Sequence, residues 1–233
     1  MTKLILNCHN FLKDCGFTYA FCGGHALELF INKQIRPHSD IDISIFDEDR
    51  KNIVDFMLGK GWSIYEHPPY SNKLRSILSP DDDSVLSSHC VWAIKPDCSF
   101  IKIEPAPGEN RWFDYKILSA EQMELDFIEI IFNKRQDGKF ICSKDESITR
   151  EIDKAILYHN GIPYLAPEVM LFIISNPVYM QSEYHREKNH IDFNATVPFL
   201  PMENKMWLIR ALETAYPMGH ERIDVLLRPT LPL

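Results

Sequence analysis

The sequence predicts an α+β protein: a mixed sheet flanked by helices over residues 1–145, then a mainly helical region over 146–233. Two observations carry that prediction. Short apolar runs, several alternating strictly with polar residues, recur between residues 17 and 142 and are punctuated by Gly, Pro and Asp. From about residue 150 the apolar residues fall instead at three- and four-residue spacing. A chain of 233 residues, 45% hydrophobic, is long enough to bury one large core or two small ones.

Taken in order, residues 3–14 read as a helix with Leu4, Leu6, Phe11 and Leu12 on its core face, and Gly16 stands where a left-handed residue ends it. Residues 17–22 form a short apolar strand. Gly23-Gly24 makes a turn, and 26–32 returns to helix. Residues 41–46 are a second strand. Asp47, Glu48 and Asp49 then suit the positive end of a helix that runs to about residue 60. Gly61-Trp62 leads into a strand at 63–66. Residues 70–80 are looser, and Asp81-Asp82-Asp83 is a turn. Strands follow at 89–95, 100–104 and 125–132. Asp137-Gly138 is a hairpin signal into a returning strand at 140–142. In the second region, Pro167 opens a helix over 168–174, and 184–194 and 203–215 have helical spacing. Residues 228–233 read as a frayed tail.

Composition excludes several function classes. The formal net charge is −8 with no long run of either sign, so a general nucleic-acid face is not expected. No apolar run approaches the roughly 18 residues of a membrane span. The N-terminal stretch is too short and polar for a signal peptide. Cysteines 8, 15, 22, 90, 98 and 142 contain no Cys-x-x-Cys pair and are expected as reduced thiols. The nine histidines contain no zinc-site spacing. These features predict a cytoplasmic protein with no membrane partner.

The chemistry concentrates in two stretches. In Arg36-Pro37-His38-Ser39-Asp40-Ile41-Asp42, alternation places Asp40 and Asp42 on one face of a strand. Side-by-side carboxylates repel, and a divalent cation is the commonest counter-charge. Mg²⁺ takes oxygen ligands and is often held by one or two carboxylates with substrate phosphates. Two such ions about 4 Å apart suit an in-line displacement at phosphorus. A third acid from another strand would complete the site and take the proton from the attacking hydroxyl. Asp126 is the first candidate, because a charge inside an apolar strand is costly without compensation. Glu124 and Glu129 compete with it. Gly23-Gly24 leaves backbone amides free at a helix N-terminus, a cradle for a triphosphate. Alone, a Gly-Gly turn or an Asp-x-Asp is ordinary structure; their combination with Arg36 and His38, about 16 residues apart, is specific.

At these residues the chain resembles the nucleotidyltransferase superfamily with its polymerase-beta-like fold, and within it the aminoglycoside and lincosamide nucleotidyltransferases. That group carries Gly-Gly-x-Ala-x-(Asp/Glu) and then Arg-x-His-x-Asp-Ile-Asp, which stand here as residues 23–28 and 36–42. Residues 89–96, 125–127 and 161–168 are similar to later segments of the family. The resemblance implies a catalytic domain over 1–145 and a helical domain over 146–233 forming the other wall of a cleft. It implies Mg²⁺-dependent transfer of a nucleoside monophosphate, AMP from ATP, to a hydroxyl of a small acceptor such as an aminoglycoside, with release of pyrophosphate. In that scheme Asp40, Asp42 and Asp126 bind two Mg²⁺ ions and Asp126 is the base. Gly23, Gly24, Arg36, His38, Ser39 and Lys188 frame the nucleotide.

Three positions depart from the family pattern. His25 replaces a common Trp, Ile174 stands where relatives commonly carry lysine, and Asn189 replaces an acid. Lys188 or Arg186 is the expected substitute for the missing cation. Two other readings share the fold: transfer to a tRNA or protein acceptor, and a non-catalytic nucleotide-binding relative.

Overall fold

The computed structural model describes residues 2–68, 71–143 and 145–228. Tyr70, at the start of the segment read as loose, and residues 229–233, within the tail read as frayed, lie outside them. The chain divides into two compact units, Met1–His25 with Arg36–Asn133, and Ala26–Ile35 with Lys134–Leu233. The last of these divisions falls after Asn133.

The first unit opens with α1 (Lys3–Leu12), capped by the Thr2 side chain, which accepts from the Ile5 amide at 3.3 Å. Ile5, Cys8 and Leu12 are its buried residues, the spacing of one helical face. After β1 (Tyr19–Phe21), α2 (Gly23–Ile31) begins in this unit and continues in the second. Next come β2 (Asp42–Phe46), α3 (Arg50–Gly59), β3 (Ser63–Glu66), β4 (Lys73–Ile77), α4 (Asp83–Ser87) and β5 (Cys90–Ile94). The triple aspartate read as a turn therefore ends in a helix start: Asp82 caps α4 by accepting from the Ser84 amide at 3.2 Å. The last strands are β6 (Ile101–Pro105), β7 (Trp112–Ile117) and β8 (Phe127–Gln136).

These strands form one mixed sheet in the order β1-β2-β8-β5-β3-β4-β7-β6. β2 and β8 are parallel, and the other neighbours are antiparallel. Registers align Asp42 with Glu129, Glu129 with Trp92, and Trp92 with Tyr65. Directly opposed residues share a face, so these four side chains form one row. Alternation puts Ile43, Ile128, Ala93 and Ile64 on the opposite face, and all four are buried. Beside the row lies an apolar cluster of Tyr65, Leu74, Ile94, Phe100, Ile101 and Phe127, with Trp92, Phe113 and Tyr115 packed against it.

In the second unit the end of β8 turns back through Asp137-Gly138 into β9 (Lys139–Ile141), which pairs with β10 (Thr149–Glu151). Both turn residues have positive φ, 52° and 75°, as the hairpin signal requires. After α5 (Ile152–Ala155), β11 (Ile156–His159) and β12 (Ile162–Leu165) form a second hairpin around Asn160-Gly161. This stretch corrects the sequence reading, which made the chain helical from about residue 150. Helices follow at α6 (Pro167–Ile173), α7 (Glu183–Thr196), α8 (Met202–Ala215) and α9 (Glu221–Leu227). A buried ion pair ties α6 to β10. Arg150 Nη2 donates to Glu168 Oε1 at 2.6 Å, and Asn204 Nδ2 donates to Glu168 Oε2 at 2.7 Å. Among the described residues no helix is long and apolar enough to cross a membrane.

Candidate active site

The parallel pairing of β2 with β8 builds the site. It sets Asp42 opposite Glu129, and the ladder closes through the Glu129 amide, which donates to the Ile41 carbonyl at 2.9 Å. On the other side of β2, the Cys22 amide donates to the Asp42 carbonyl at 3.0 Å. Asp40 lies two residues before Asp42. One carboxylate oxygen from each of Asp40, Asp42 and Glu129 then lies within 4.8 Å of the other two, and all three residues are half-buried. Ser39 Oγ donates to Asp40 Oδ1 at 3.0 Å, and Trp92 Nε1 donates to Glu129 Oε1 at 3.3 Å.

The concentrated negative charge reaches the neighbouring thiol. Burial first, and then the charges of Asp42, Glu129 and Asp40, push Cys22 well above the ordinary thiol range. Cys22 is therefore held as a neutral, packed thiol and not as a nucleophile.

Both glycines are closely approached by side chains. Gly23 has φ +63°, and a Cβ there would overlap Asp42 Oδ2. A Cβ on Gly24 would overlap His38 Cε1 and come within 2.7 Å of Arg36 Nη2. The first turn of α2 thus carries the Asp42 carboxylate against one glycine and the ends of His38 and Arg36 against the next. The His25 and His38 rings lie 4.1 Å apart, centre to centre.

These residues suit a divalent cation. Three carboxylates converge, hard oxygen donors of the kind Mg²⁺ prefers, and the missing Cβ of Gly23 lets the Asp42 carboxylate pack against the turn. Asp40, Asp42 and Glu129 are the residues that would hold it.

The structure brings Gly23, Gly24, Arg36, His38, Ser39, Asp40 and Asp42 together but leaves Asp126 out of the carboxylate group. Asp126 precedes β8, and the Lys95 amide donates to its carbonyl at 2.8 Å, one step beyond the Ile94–Phe127 pair. Alternation turns its side chain to the face opposite Glu129. There its Oδ2 accepts from both the amide and the hydroxyl of Ser99 at 2.7 Å. Glu129 replaces Asp126 as the third acid of the cluster. Glu124 is exposed ahead of the strand. Trp92 is the site residue that sequence reasoning missed; its signal was the alternation of residues 90–94, which sets it on a strand facing another acid-bearing strand.

In the second unit, Lys188 is half-buried on α7 and Arg186 on the same helix is exposed. Ile174 is half-buried at the C-terminal end of α6. Asn189 is buried, and its Nδ2 donates to the Tyr179 carbonyl at 3.1 Å.

Residues 4–139, more than half of the chain, match the family described as aminoglycoside-2''-adenylyltransferase. No curated protein matches the chain. Solved structures align with it, among them the following three. The lincosamide antibiotic adenylyltransferase LnuA, lincomycin-bound, is 14% identical, with 82% of this chain and 96% of that chain covered and a TM-score of 0.46. ANT(2'')-Ia in complex with adenylyl-2''-tobramycin is 8% identical, with 89% and 95% covered and a TM-score of 0.47. A solution structure of the antibiotic-resistance factor ANT(2'')-Ia is 11% identical, with 92% and 93% covered and a TM-score of 0.48.

Proposed function

This chain belongs to the aminoglycoside-2''-adenylyltransferase family and is a nucleotidyltransferase, and from that premise we propose that it moves AMP from ATP to a hydroxyl of an aminoglycoside-like acceptor. The observation that carries this reading is the convergence of Asp40, Asp42 and Glu129 beside the Gly23-Gly24 turn. In the reaction the acceptor oxygen forms a bond to the α-phosphorus of ATP. The bond from that phosphorus to the bridging oxygen breaks, and pyrophosphate leaves. The hydroxyl proton passes to a carboxylate, a role we assign to Glu129.

Asp40, Asp42 and Glu129 would hold Mg²⁺, which would supply charge neutralisation at the phosphates. The chain's own groups supply the rest. Gly23 and Gly24 present backbone amides at a helix N-terminus, where an anion is favoured. Arg36 and His38, held against Gly24, add donors for the phosphates. Ser39 holds Asp40 in place through its hydroxyl. The formal charge of −8 suits a polycationic acceptor through long-range attraction.

The test is pyrophosphate release from ATP and Mg²⁺ on addition of a panel of aminoglycosides. Release that needs all three components, with an adenylylated product detected by mass spectrometry, is the expected result. No release with any aminoglycoside, while ATP with Mg²⁺ still raises the melting temperature, would remove the acceptor assignment and leave a nucleotide-binding protein.

A further inference from the structure

His67 follows β3 and lies two residues beyond Tyr65, so alternation carries it to the sheet face that holds Asp42, Glu129 and Trp92. Its imidazole stacks on the Trp92 indole, 4.4 Å centre to centre with 24° between the planes. Tyr115 and Phe127 meet the same indole edge-on, at 5.2 and 5.3 Å and at 77° and 88°. Of these three rings, His67 is the one that lies flat on Trp92.

The imidazole is itself fixed. Its Nε2 lies 3.1 Å from the Ser71 carbonyl and 3.2 Å from the Tyr115 hydroxyl. A carbonyl can only accept, so Nε2 carries the hydrogen and donates. Burial, opposed by the Ser71 hydrogen bond, pushes the His67 pKa below its ordinary value, so the ring stacks in its neutral form at neutral pH. A ring that merely filled space would need neither polar partner. The indole can leave Glu129 by turning about its Cβ–Cγ bond, a torsion with broad wells. A parallel ring at stacking distance blocks that turn, because the moving edge would run into the imidazole.

We propose that His67 is a positioning residue for nucleotidyl transfer: it holds the Trp92 indole in the plane from which Nε1 reaches Glu129 Oε1. This inference rests on the role assigned to Glu129 above. Ser71 and Tyr115 fix His67, His67 fixes Trp92, and Trp92 fixes the carboxylate. The effect of His67 therefore passes through Trp92 and not through contact with the reacting atoms.

The test is a double-mutant cycle on kcat. His67→Ala should lower kcat by about 2- to 10-fold, the worth of one aromatic pair, with the KM for ATP unchanged. His67→Phe keeps a flat ring and should return kcat to within about 2-fold of wild type. In the Trp92→Phe background, His67→Ala should lower kcat no further. Multiplying losses in the double variant, a change in the KM for ATP in place of kcat, or no recovery with His67→Phe would each overturn the proposal. His67→Leu fills the space without a flat ring and repeats the comparison if His67→Ala does not fold. The indole N–H resonance of Trp92, assigned by its loss in Trp92→Phe, gives a readout independent of turnover. It should move in His67→Ala toward its position in Glu129→Ala, and stay in place in His67→Phe. An unmoved resonance in His67→Ala would overturn the positioning itself. A moved resonance with kcat unchanged would overturn the role assigned to Glu129, and the proposal with it.

Discussion

Trp92 and Glu129 stand directly opposite each other on antiparallel neighbours β5 and β8, and the indole Nε1 donates to Glu129 Oε1 at 3.3 Å. That bond fixes the orientation of a carboxylate. Trp92→Phe keeps much of the ring but removes the donor. A hydrogen bond to a charged group is worth about 1.5–3 kcal/mol, so kcat should fall by about 10- to 100-fold with little change in the KM for ATP. A change in Tm alone, with kcat unmoved, would make Trp92 merely structural.

Neutralising the cluster should separate stability from function. Asp42→Asn or Glu129→Gln should cost at least about 10²-fold in kcat, the usual range for loss of an acid–base group. Each should abolish the rise in melting temperature that ATP with Mg²⁺ gives the wild type, and EDTA should do the same to the unaltered protein. Without metal, the variants should melt at or above the wild-type temperature, because three converging carboxylates repel one another. Differential scanning fluorimetry with and without Mg²⁺ reads all of these outcomes.

The two glycines should fail differently. Gly23→Ala forces a left-handed residue and displaces the Asp42 carboxylate, so it should destabilise by about 1–3 kcal/mol and remove activity. Gly24→Ala meets only the ends of the His38 and Arg36 side chains, which can move. It should leave the urea midpoint nearly unchanged and raise the KM for ATP. Urea melts beside steady-state kinetics distinguish the two.

Acid stability should report on Asp82. Burial raises its carboxyl, but the hydrogen bond from Arg111, the Ser84 amide and the charges of Arg111 and Arg75 outweigh that, and the net shift is downward. A depressed folded pKa contributes stability that is fully present above the unfolded value near 3.9 and is lost as pH falls through the folded value. Asp82→Asn should therefore lower stability at pH 7 and flatten its fall below about pH 4. Urea melts from pH 7 to pH 3 measure both slopes.

The candidate site was legible wherever its residues are close in sequence. Asp40, Asp42, His38, Arg36 and the two glycines share one short stretch, and local alternation places them. The third acid was not legible, because Asp126 and Glu129 are three apart on the same approach to β8 and so face opposite ways. Only the β2–β8 register selects between them, and register is a tertiary property. In the second region α6, α7 and α8 were legible from their period, whereas α5 and α9 were not. β11 and β12 were missed although Asn160-Gly161, with φ of 51° and 81°, is the same hairpin signal that was read correctly at Asp137-Gly138. Strands of four residues carry too little period to compete with the helical spacing around them. β7 was missed although Phe113 to Ile117 alternates apolar with polar residues; the strand is only partly buried.

The parallel β2–β8 pair has a consequence for how the enzyme comes into being. Residues 42 and 129 are far apart in sequence, so their pairing closes a long loop, which raises contact order and slows folding. Three mutually repelling carboxylates must meet in that closure. Mg²⁺ in the refolding buffer should therefore slow unfolding more than it speeds folding, because the ligands are scattered in the chain until the barrier is nearly crossed.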